Sequence, residues 1–176
     1  MIPAKILEWH DLAENRSALL MPVNLALAVI WQESGGDPYT WNPEPKYRWY
    51  WNVKTNQPFR TLIAAEIDSK TPPADFPCLA GDRDQEWWAQ EASWGLMQPM
   101  GAVARECGYK GTYLTHLVEP ELNLQIGCTH LSRKLSQAGG DVHRALQLYN
   151  GGGNPHYAME VLAKMKEIET METQHG

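Results

Sequence analysis

The chain has 176 residues, enough to bury one substantial core but with little room for a second domain. Its formal net charge of -6 argues against binding along a nucleic-acid backbone, and no stretch reaches the roughly 20 apolar residues of a membrane helix. We therefore predict a single domain over residues 1–176, monomeric, that neither binds nucleic acid nor inserts stably into a membrane.

The start of the chain predicts two helices, the second of them deeply buried. Residues 4–20 carry Ile6, Trp9 and Leu12 on one broad apolar stripe, which ends before Pro22. Residues 23–32 are apolar almost all round, which is typical of a helix enclosed by its neighbours. This helix is predicted to end at Glu33, because glycines follow at positions 35 and 36.

An irregular segment follows over residues 37–84, in which seven prolines interrupt regular structure. Residues 47–53 are aromatic and predict a strand, with residues 54–57 as the turn of a small hairpin. A short helix is predicted over residues 62–69, and another over residues 85–92.

The rest of the chain is predicted to be helical. A short helix over residues 101–107 and a turn over residues 112–117 precede a long amphipathic helix over residues 120–138. Asp141 is predicted to cap a helix that runs to Tyr149. A last helix, with a charged end, begins near Pro155 and reaches about Glu172. The fold class is therefore mainly α.

Glu33 is the strongest candidate for a catalytic group. Its carboxyl is predicted to lie at the negative end of a helix dipole and in a poorly solvated setting. Both effects oppose ionisation and keep a carboxylic acid protonated near neutral pH, as a general acid requires. Position 33 alone leaves open the alternative of a solvated glutamate on the last turn.

Three short motifs occur in order along the chain: ESGGDP at 33–38, GLMQ at 95–98 and LYNGG at 148–152. The segment ELNLQIG at 121–127 lies between the second and third. This succession resembles the lytic transglycosylase and goose-type lysozyme-like family, which cleaves the glycan strands of bacterial peptidoglycan. The resemblance covers about residues 24–154 and implies a lysozyme-like domain, with an insertion over about residues 39–84 and a helical tail over residues 155–176.

The resemblance implies a mechanism with one essential glutamate and no cofactor or metal. Glu33 would protonate the leaving oxygen between N-acetylmuramic acid and N-acetylglucosamine, while the muramic acetamido oxygen supports the charge at C1. Glu33 would then act as base on the C6 hydroxyl, which closes onto C1 and leaves a 1,6-anhydro end. One group that serves as acid and then as base works best with a pKa near the operating pH.

The same motifs supply the expected substrate-binding residues: Ser34, Gly95, Met97, Gln98, Tyr149 and Asn150. Gln98 offers an amide to an N-acetyl or hydroxyl group, or else bonds nearby backbone. Ser34 either donates to substrate or finishes its helix. Met97 is expected on the cleft floor, although methionine is usually core. Tyr149 resembles the family's tyrosine whose hydroxyl approaches the catalytic glutamate.

Two alternatives remain open at this point. Glu91 ends a short helix seven residues before Gln98, and it is the best candidate for a second carboxylate. A separation of roughly 6.5–9.5 Å from Glu33 would allow an inverting, hydrolytic muramidase or chitinase. The other alternative is a catalytically silent glycan-binding protein, against which the joint presence of Glu33, Gln98 and Tyr149 argues.

Six of the eight tryptophans lie between positions 41 and 94. Aromatic faces stack on sugar rings, so an insertion that carries Trp41, Trp49, Tyr50 and Trp51 is expected to extend the glycan-binding groove, with about half of its aromatic rings in core instead.

Cysteine and histidine spacing predicts no metal site. Cys78, Cys107 and Cys128 form an odd set that matches no zinc pattern, and we interpret them as free thiols. His116 and His130 are better explained by packing than by ligation.

The first residues lack an apolar segment of signal-peptide length. This favours synthesis in the cytoplasm and action on the cell wall after release, as in a bacteriophage endolysin.

Overall fold

The computed structural model describes residues 2–17, 19–79 and 82–175. Within these ranges it contains nine α-helices, four short strands and a 3₁₀ helix at Leu114–Val118. The helices are α1 (Ala4–Leu7), α2 (His10–Ser17), α3 (Val23–Ser34), α4 (Ala64–Ile67), α5 (Arg83–Gln90), α6 (Gly101–Glu106), α7 (Pro120–Gln137), α8 (Val142–Asn150) and α9 (Tyr157–His175). The strands are β1 (Trp41–Pro43), β2 (Trp51–Asn52), β3 (Gln57–Pro58) and β4 (Ala92–Trp94). This mainly α architecture with a small β insertion confirms the predicted fold class.

Helix α3 is the centre of the main core. Six consecutive residues from Leu25 to Ile30 are buried, as the all-round apolar pattern predicts. The helix ends where Gly35 adopts a left-handed conformation with φ of 60°, which glycine tolerates without steric cost. Because α3 is enclosed along its length, its last turn delivers Glu33 from a rigid support.

Helix α9 packs directly against α3 and is not a peripheral tail. Tyr157, Ala158, Val161 and Ile168 belong to the same buried cluster as α3, so burial continues along the final helix. The burial of α9 was not predicted from the sequence, because many charged residues interrupt its apolar stripe. Residue 176 of the predicted tail lies outside the described residues.

Helices α7 and α8 complete the main bundle. Pro120 opens α7, where a missing backbone N–H is harmless, and Asp141 caps α8 by accepting a hydrogen bond from the Arg144 backbone N–H at 3.0 Å. Both features agree with the sequence prediction. Tyr149 and Asn150 are the last residues of α8, after which Gly151 adopts a left-handed conformation with φ of 65°.

The prediction of one continuous helix over residues 4–20 is wrong. The structure has two helices, α1 and α2, and the Trp9 indole N–H between them donates to the Gly36 carbonyl at 3.0 Å. Ala18, within the predicted span, lies outside the described residues.

The insertion contains the predicted hairpin in a shorter form, together with a strand pair that the sequence analysis did not find. Strands β2 and β3 pair around a turn at Asn56, whose φ is 56°. Strand β1 pairs antiparallel with β4, with Trp41 opposite Trp94. Ala80 and Gly81 of the insertion lie outside the described residues. No helix in the described ranges is both long and apolar enough to cross a bilayer.

Candidate active site

The side chain of Glu33 lies in a cavity of about 750 Å³. Its Oε1 atom accepts a hydrogen bond from the Tyr157 hydroxyl at 2.5 Å, while Oε2 has no partner among the residues that the structure describes. Burial raises the pKa of this carboxyl from 4.5 to about 7, and the Tyr157 bond opposes that rise because it favours the charged form. Glu33 therefore combines a proton poised near neutral pH with one oxygen free toward the cavity.

The backbone of residues 95–98 lies against the C-terminal end of α3. Gly95 has a φ of 67°, and a Cβ atom there would meet the Asn123 Nδ2 atom at 2.4 Å. Asn123 is fully buried, donates to the carbonyls of Trp94 and Leu117, both at 2.7 Å, and accepts from the Met97 N–H at 2.8 Å. Position 95 therefore has no room for a side chain, and its expected role in substrate binding stays a prediction. Asn123, within the ELNLQIG segment, is a positioning residue that sequence reasoning assigned no role.

The Gln98 amide is engaged entirely within the protein. Its Nε2 atom donates to the carbonyls of Thr40 at 3.0 Å and Gly95 at 2.7 Å. Its Oε1 atom accepts from Asn42 Nδ2 at 2.6 Å and from Ser93 Oγ at 2.8 Å. These four bonds use both donors and both lone pairs of a carboxamide. Gln98 lines the cavity, and its amide fixes the loop, in line with the alternative that it bonds nearby backbone; its donation to substrate stays a prediction.

Ser34 and Met97 also face inward. The Ser34 hydroxyl donates to the Leu96 carbonyl at 2.8 Å, which ties the end of α3 to the second motif. The Met97 side chain is fully buried in the main core and is not part of the cavity lining. The expected place of the Met97 side chain on the cleft floor is therefore wrong, whereas a contact of Ser34 with substrate stays a prediction.

Tyr149 lines the cavity, but its hydroxyl donates to the Met97 carbonyl at 2.7 Å. The tyrosine that hydrogen-bonds the candidate acid is Tyr157, at the start of α9, so the predicted contact is wrong in the choice of residue. Glu33 still raises the pKa of Tyr149 electrostatically, after the larger effect of burial. No local sequence signal distinguishes Tyr157, because its contact with Glu33 depends on how α9 packs against α3.

Asn150 is the remaining predicted residue of the third motif, and it lines the same cavity. Its Nδ2 atom donates to the Asn154 carbonyl at 3.1 Å. The structure therefore brings together Glu33, Gln98, Tyr149 and Asn150 around one cavity, from three separate parts of the chain.

Residues 13–171 match the family model described as the transglycosylase SLT domain. The chain belongs to the transglycosylase SLT domain family. No match was found among curated proteins or among solved structures. Members of the family are peptidoglycan lytic transglycosylases, so this SLT domain is an enzyme that cleaves glycosidic bonds in peptidoglycan.

Glu91 does not line the cavity of this SLT domain. It is only 5 % exposed and accepts a hydrogen bond from the Tyr50 hydroxyl. Burial raises its pKa, and the bond from Tyr50 and the charge of Arg48 act against that rise. The expectation of a second carboxylate near the cleft is therefore not met by Glu91, which is buried outside the cavity lining.

His130 is a cavity residue that the sequence analysis explained by packing alone. Its ring lies 5.1 Å from the Tyr149 ring, centroid to centroid. Burial and, after it, the neighbouring charges of Lys134 and Arg133 together lower its pKa to about 4, so the ring is neutral at neutral pH. In the described ranges, no three His, Cys, Asp or Glu side chains form a group that could hold a metal ion.

The insertion forms one wall of the cavity through Glu44, Lys46, Tyr47 and Trp49. The aromatic residues expected there divide between groove and core. Trp49 faces the cavity, whereas Tyr50 is 3 % exposed. Trp41 is half exposed, with its ring centroid 5.9 Å from that of Trp94.

Proposed function

We propose that this enzyme cleaves the β-1,4 bond between N-acetylmuramic acid and N-acetylglucosamine as a lytic transglycosylase, with Glu33 as acid and then base. The observation that carries the proposal is the state of Glu33 itself. Its pKa is raised to about 7, one oxygen is held by Tyr157, and the side chain lines a cavity that residues of all three motifs share.

In the first step, the protonated Glu33 carboxyl donates its proton to the glycosidic oxygen, and the bond to C1 breaks. The acetamido oxygen of the muramic acid supports the positive charge that develops at C1. The carboxylate form of Glu33 is hydrogen-bonded by Tyr157, which limits the penalty of a charge at this buried position.

In the second step, the Glu33 carboxylate removes the proton of the C6 hydroxyl, and the C6 oxygen closes onto C1. The 1,6-anhydro product forms, and Glu33 regains its proton for the next cycle. A pKa near 7 suits both steps, since an acid and a base are each most effective when the pKa lies near the operating pH.

A hydrolytic route would require a second carboxylate to activate water. Glu91, the sequence-based candidate, lies against Tyr50 outside the cavity lining, so Glu44 and Glu106, which line the cavity, are the carboxylates left for this role.

The test compares the parent enzyme with Glu33→Gln and Glu14→Gln on purified peptidoglycan sacculi. Glu14 is the matched control because it is an exposed carboxylate outside the cavity lining. We expect Glu33→Gln to clear sacculi roughly 10²–10⁴-fold more slowly, the usual range for loss of a general acid or base, and Glu14→Gln to retain activity.

Mass spectrometry of the released fragments tests the product. An anhydro end is lighter by one water than a hydrolysed end, so reducing-end products from the parent would refute the transglycosylase route. Equal clearing by the parent and Glu33→Gln would remove Glu33 from the mechanism. The phage origin, cytoplasmic synthesis and monomeric state stay predictions.

A further inference from the structure

The cavity wall made by residues 44–49 has no role in the chemistry proposed above. It places Trp49 in the same cavity as Glu33, although the two residues come from different parts of the fold. Trp49 is 75 % exposed, one of the most exposed large apolar side chains among the described residues. A large aromatic side chain left open inside a cleft is typical of a ligand-binding surface.

The wall is held in place from both ends by the C-terminal end of α5. The Glu44 N–H donates to the Glu91 carbonyl at 2.7 Å. At the other end, the Gln90 amide accepts from the Trp51 N–H at 2.8 Å and donates to the Trp51 carbonyl at 3.0 Å. Trp49 therefore lies on a short segment between two anchored points.

The neighbouring residue Tyr50 fixes the direction in which Trp49 points. The Tyr50 ring stacks on Trp87, with centroids 3.9 Å apart and an interplanar angle of 16°, and meets Phe76 edge to face at 5.6 Å. Its hydroxyl donates to the Glu91 carboxyl. Tyr50 is thus committed to the core while the adjacent Trp49 is directed outward.

Tyr47 supports the Trp49 ring from the side. The two rings meet edge to face, with centroids 5.6 Å apart and an interplanar angle of 72°. This contact limits rotation of the indole, so little conformational entropy remains to be lost when a ligand covers it. An indole face that is held in place and open to a cleft suits the C–H groups on one face of a pyranose ring, because they carry partial positive charge toward the negative aromatic face.

We propose that Trp49 stacks on a sugar ring of the glycan strand, so that the insertion adds a binding subsite to the cleft. The inference rests on the proposed function in one respect, since the bound polymer is taken to be the strand that Glu33 cleaves. Trp49 is thereby a substrate-binding residue that acts on affinity and leaves the proton transfers of Glu33 unchanged.

The test measures binding of glycan strands stripped of their stem peptides, by isothermal titration calorimetry, in a Glu33→Gln background. We expect Trp49→Ala to weaken binding about tenfold, the scale of one lost aromatic stacking contact, and Trp49→Tyr to remain within about threefold of the background. Trp88→Ala is the matched control, because Trp88 is 45 % exposed and lies outside the cavity lining.

Steady-state kinetics on sacculi with Glu33 intact give the second readout. Trp49→Ala should raise KM about tenfold with kcat unchanged, because stacking contributes equally to ground-state and transition-state binding. An unfolding temperature of Trp49→Ala that equals that of the Trp88→Ala control excludes a folding defect as the cause of the raised KM.

Two outcomes would overturn the proposal: binding by Trp49→Ala equal to that of the background, or equal weakening by Trp49→Ala and Trp49→Tyr. Release of fragments during titration in the Glu33→Gln background would instead refute the role of Glu33. The KM values obtained with Glu33 intact would then be the only test of sugar binding by Trp49.

Discussion

The C-terminal ends of α3 and α5 present the same chemistry in two different settings. Each carries a glutamate next to its last residue, Glu33 or Glu91, whose pKa is raised by burial and whose carboxyl accepts a hydrogen bond from a tyrosine hydroxyl. Glu33 lines the cavity and Glu91 does not. A raised pKa and a helix end are therefore insufficient to identify a catalytic acid, and access of a free oxygen to the cleft is the property that separates the two.

The partners of the two carboxyls explain the difference. Tyr157 comes from α9, which packs on α3 and leaves the cavity side of Glu33 open. Tyr50 belongs to an aromatic cluster with Trp87 and Phe76 that covers Glu91. The end of α3 thus presents the Glu33 carboxyl to the cavity. The end of α5 instead anchors the cavity wall on which Trp49 lies.

The largest expected effect concerns the buried ion pair that joins α5 to α6. Arg105 and Glu86 form a buried ion pair, with Nη2 and Oε2 2.7 Å apart and with 1 % and 4 % of the side chains exposed. Arg105→Leu would leave the Glu86 charge unpaired, so we expect the free energy of unfolding to fall by about 3–5 kcal/mol in urea titrations. Arg60→Leu, which removes an exposed arginine paired with Glu66 and Asp75, should cause a much smaller loss. Equal losses would mean that the buried pair does not anchor α5.

The buried Glu33 carboxyl at the end of α3 is expected to lower the free energy of unfolding above neutral pH. Between pH 4.5 and about 7, folded Glu33 retains a proton that the unfolded chain has released, so stability falls as pH rises through this window. Glu33→Gln removes this penalty and should raise the free energy of unfolding by about 3 kcal/mol at pH 8, with no gain at pH 4. Urea titrations at the two pH values measure it, with Glu44→Gln as control. A gain that is independent of pH would contradict the assigned cause.

The hydroxyl of Tyr157 should set the pH at which activity declines. Because a general acid must be protonated, kcat/KM of the parent is expected to fall as pH rises through about 7. Tyr157→Phe removes a bond that lowers the pKa of Glu33, so the decline should move to higher pH. Tyr149→Phe is the control, because the Tyr149 hydroxyl bonds the Met97 carbonyl. A decline at unchanged pH in Tyr157→Phe would show that this hydroxyl does not tune Glu33.

The smallest expected effect is that of Glu91→Gln. A glutamine Oε1 atom can still accept the Tyr50 hydroxyl, so kcat should stay within about threefold of the parent. Rates of anhydro product release measure this. A loss of roughly a hundredfold or more would make Glu91 a catalytic group and restore the hydrolytic alternative.

Elements set by local chemistry were predictable from the sequence. The apolar pattern of α3 and the glycine after it predicted a buried helix that ends at Glu33, and Asp141 predicted the cap of α8. The insertion hairpin was located correctly, but the predicted strand over residues 47–53 was too long, because only Trp51 and Asn52 pair with β3.

Pairings between distant residues were not predictable in this way. Strand β1 pairs with β4 across about fifty residues, and neither segment has a local signal for the other. The choice between Tyr149 and Tyr157 depends on how α9 lies against α3, and hence on tertiary packing.

The sequence by itself determined the fold class, the order of the motifs and the placement of one carboxyl at the end of a buried helix, because capping and periodicity act over a few residues. Only the tertiary structure decided which tyrosine touches that carboxyl, that the Gln98 amide holds a loop, and that Glu91 supports a wall. Those roles depend on which polar atoms pair with one another in the folded chain, and such pairs join residues that lie far apart in the sequence.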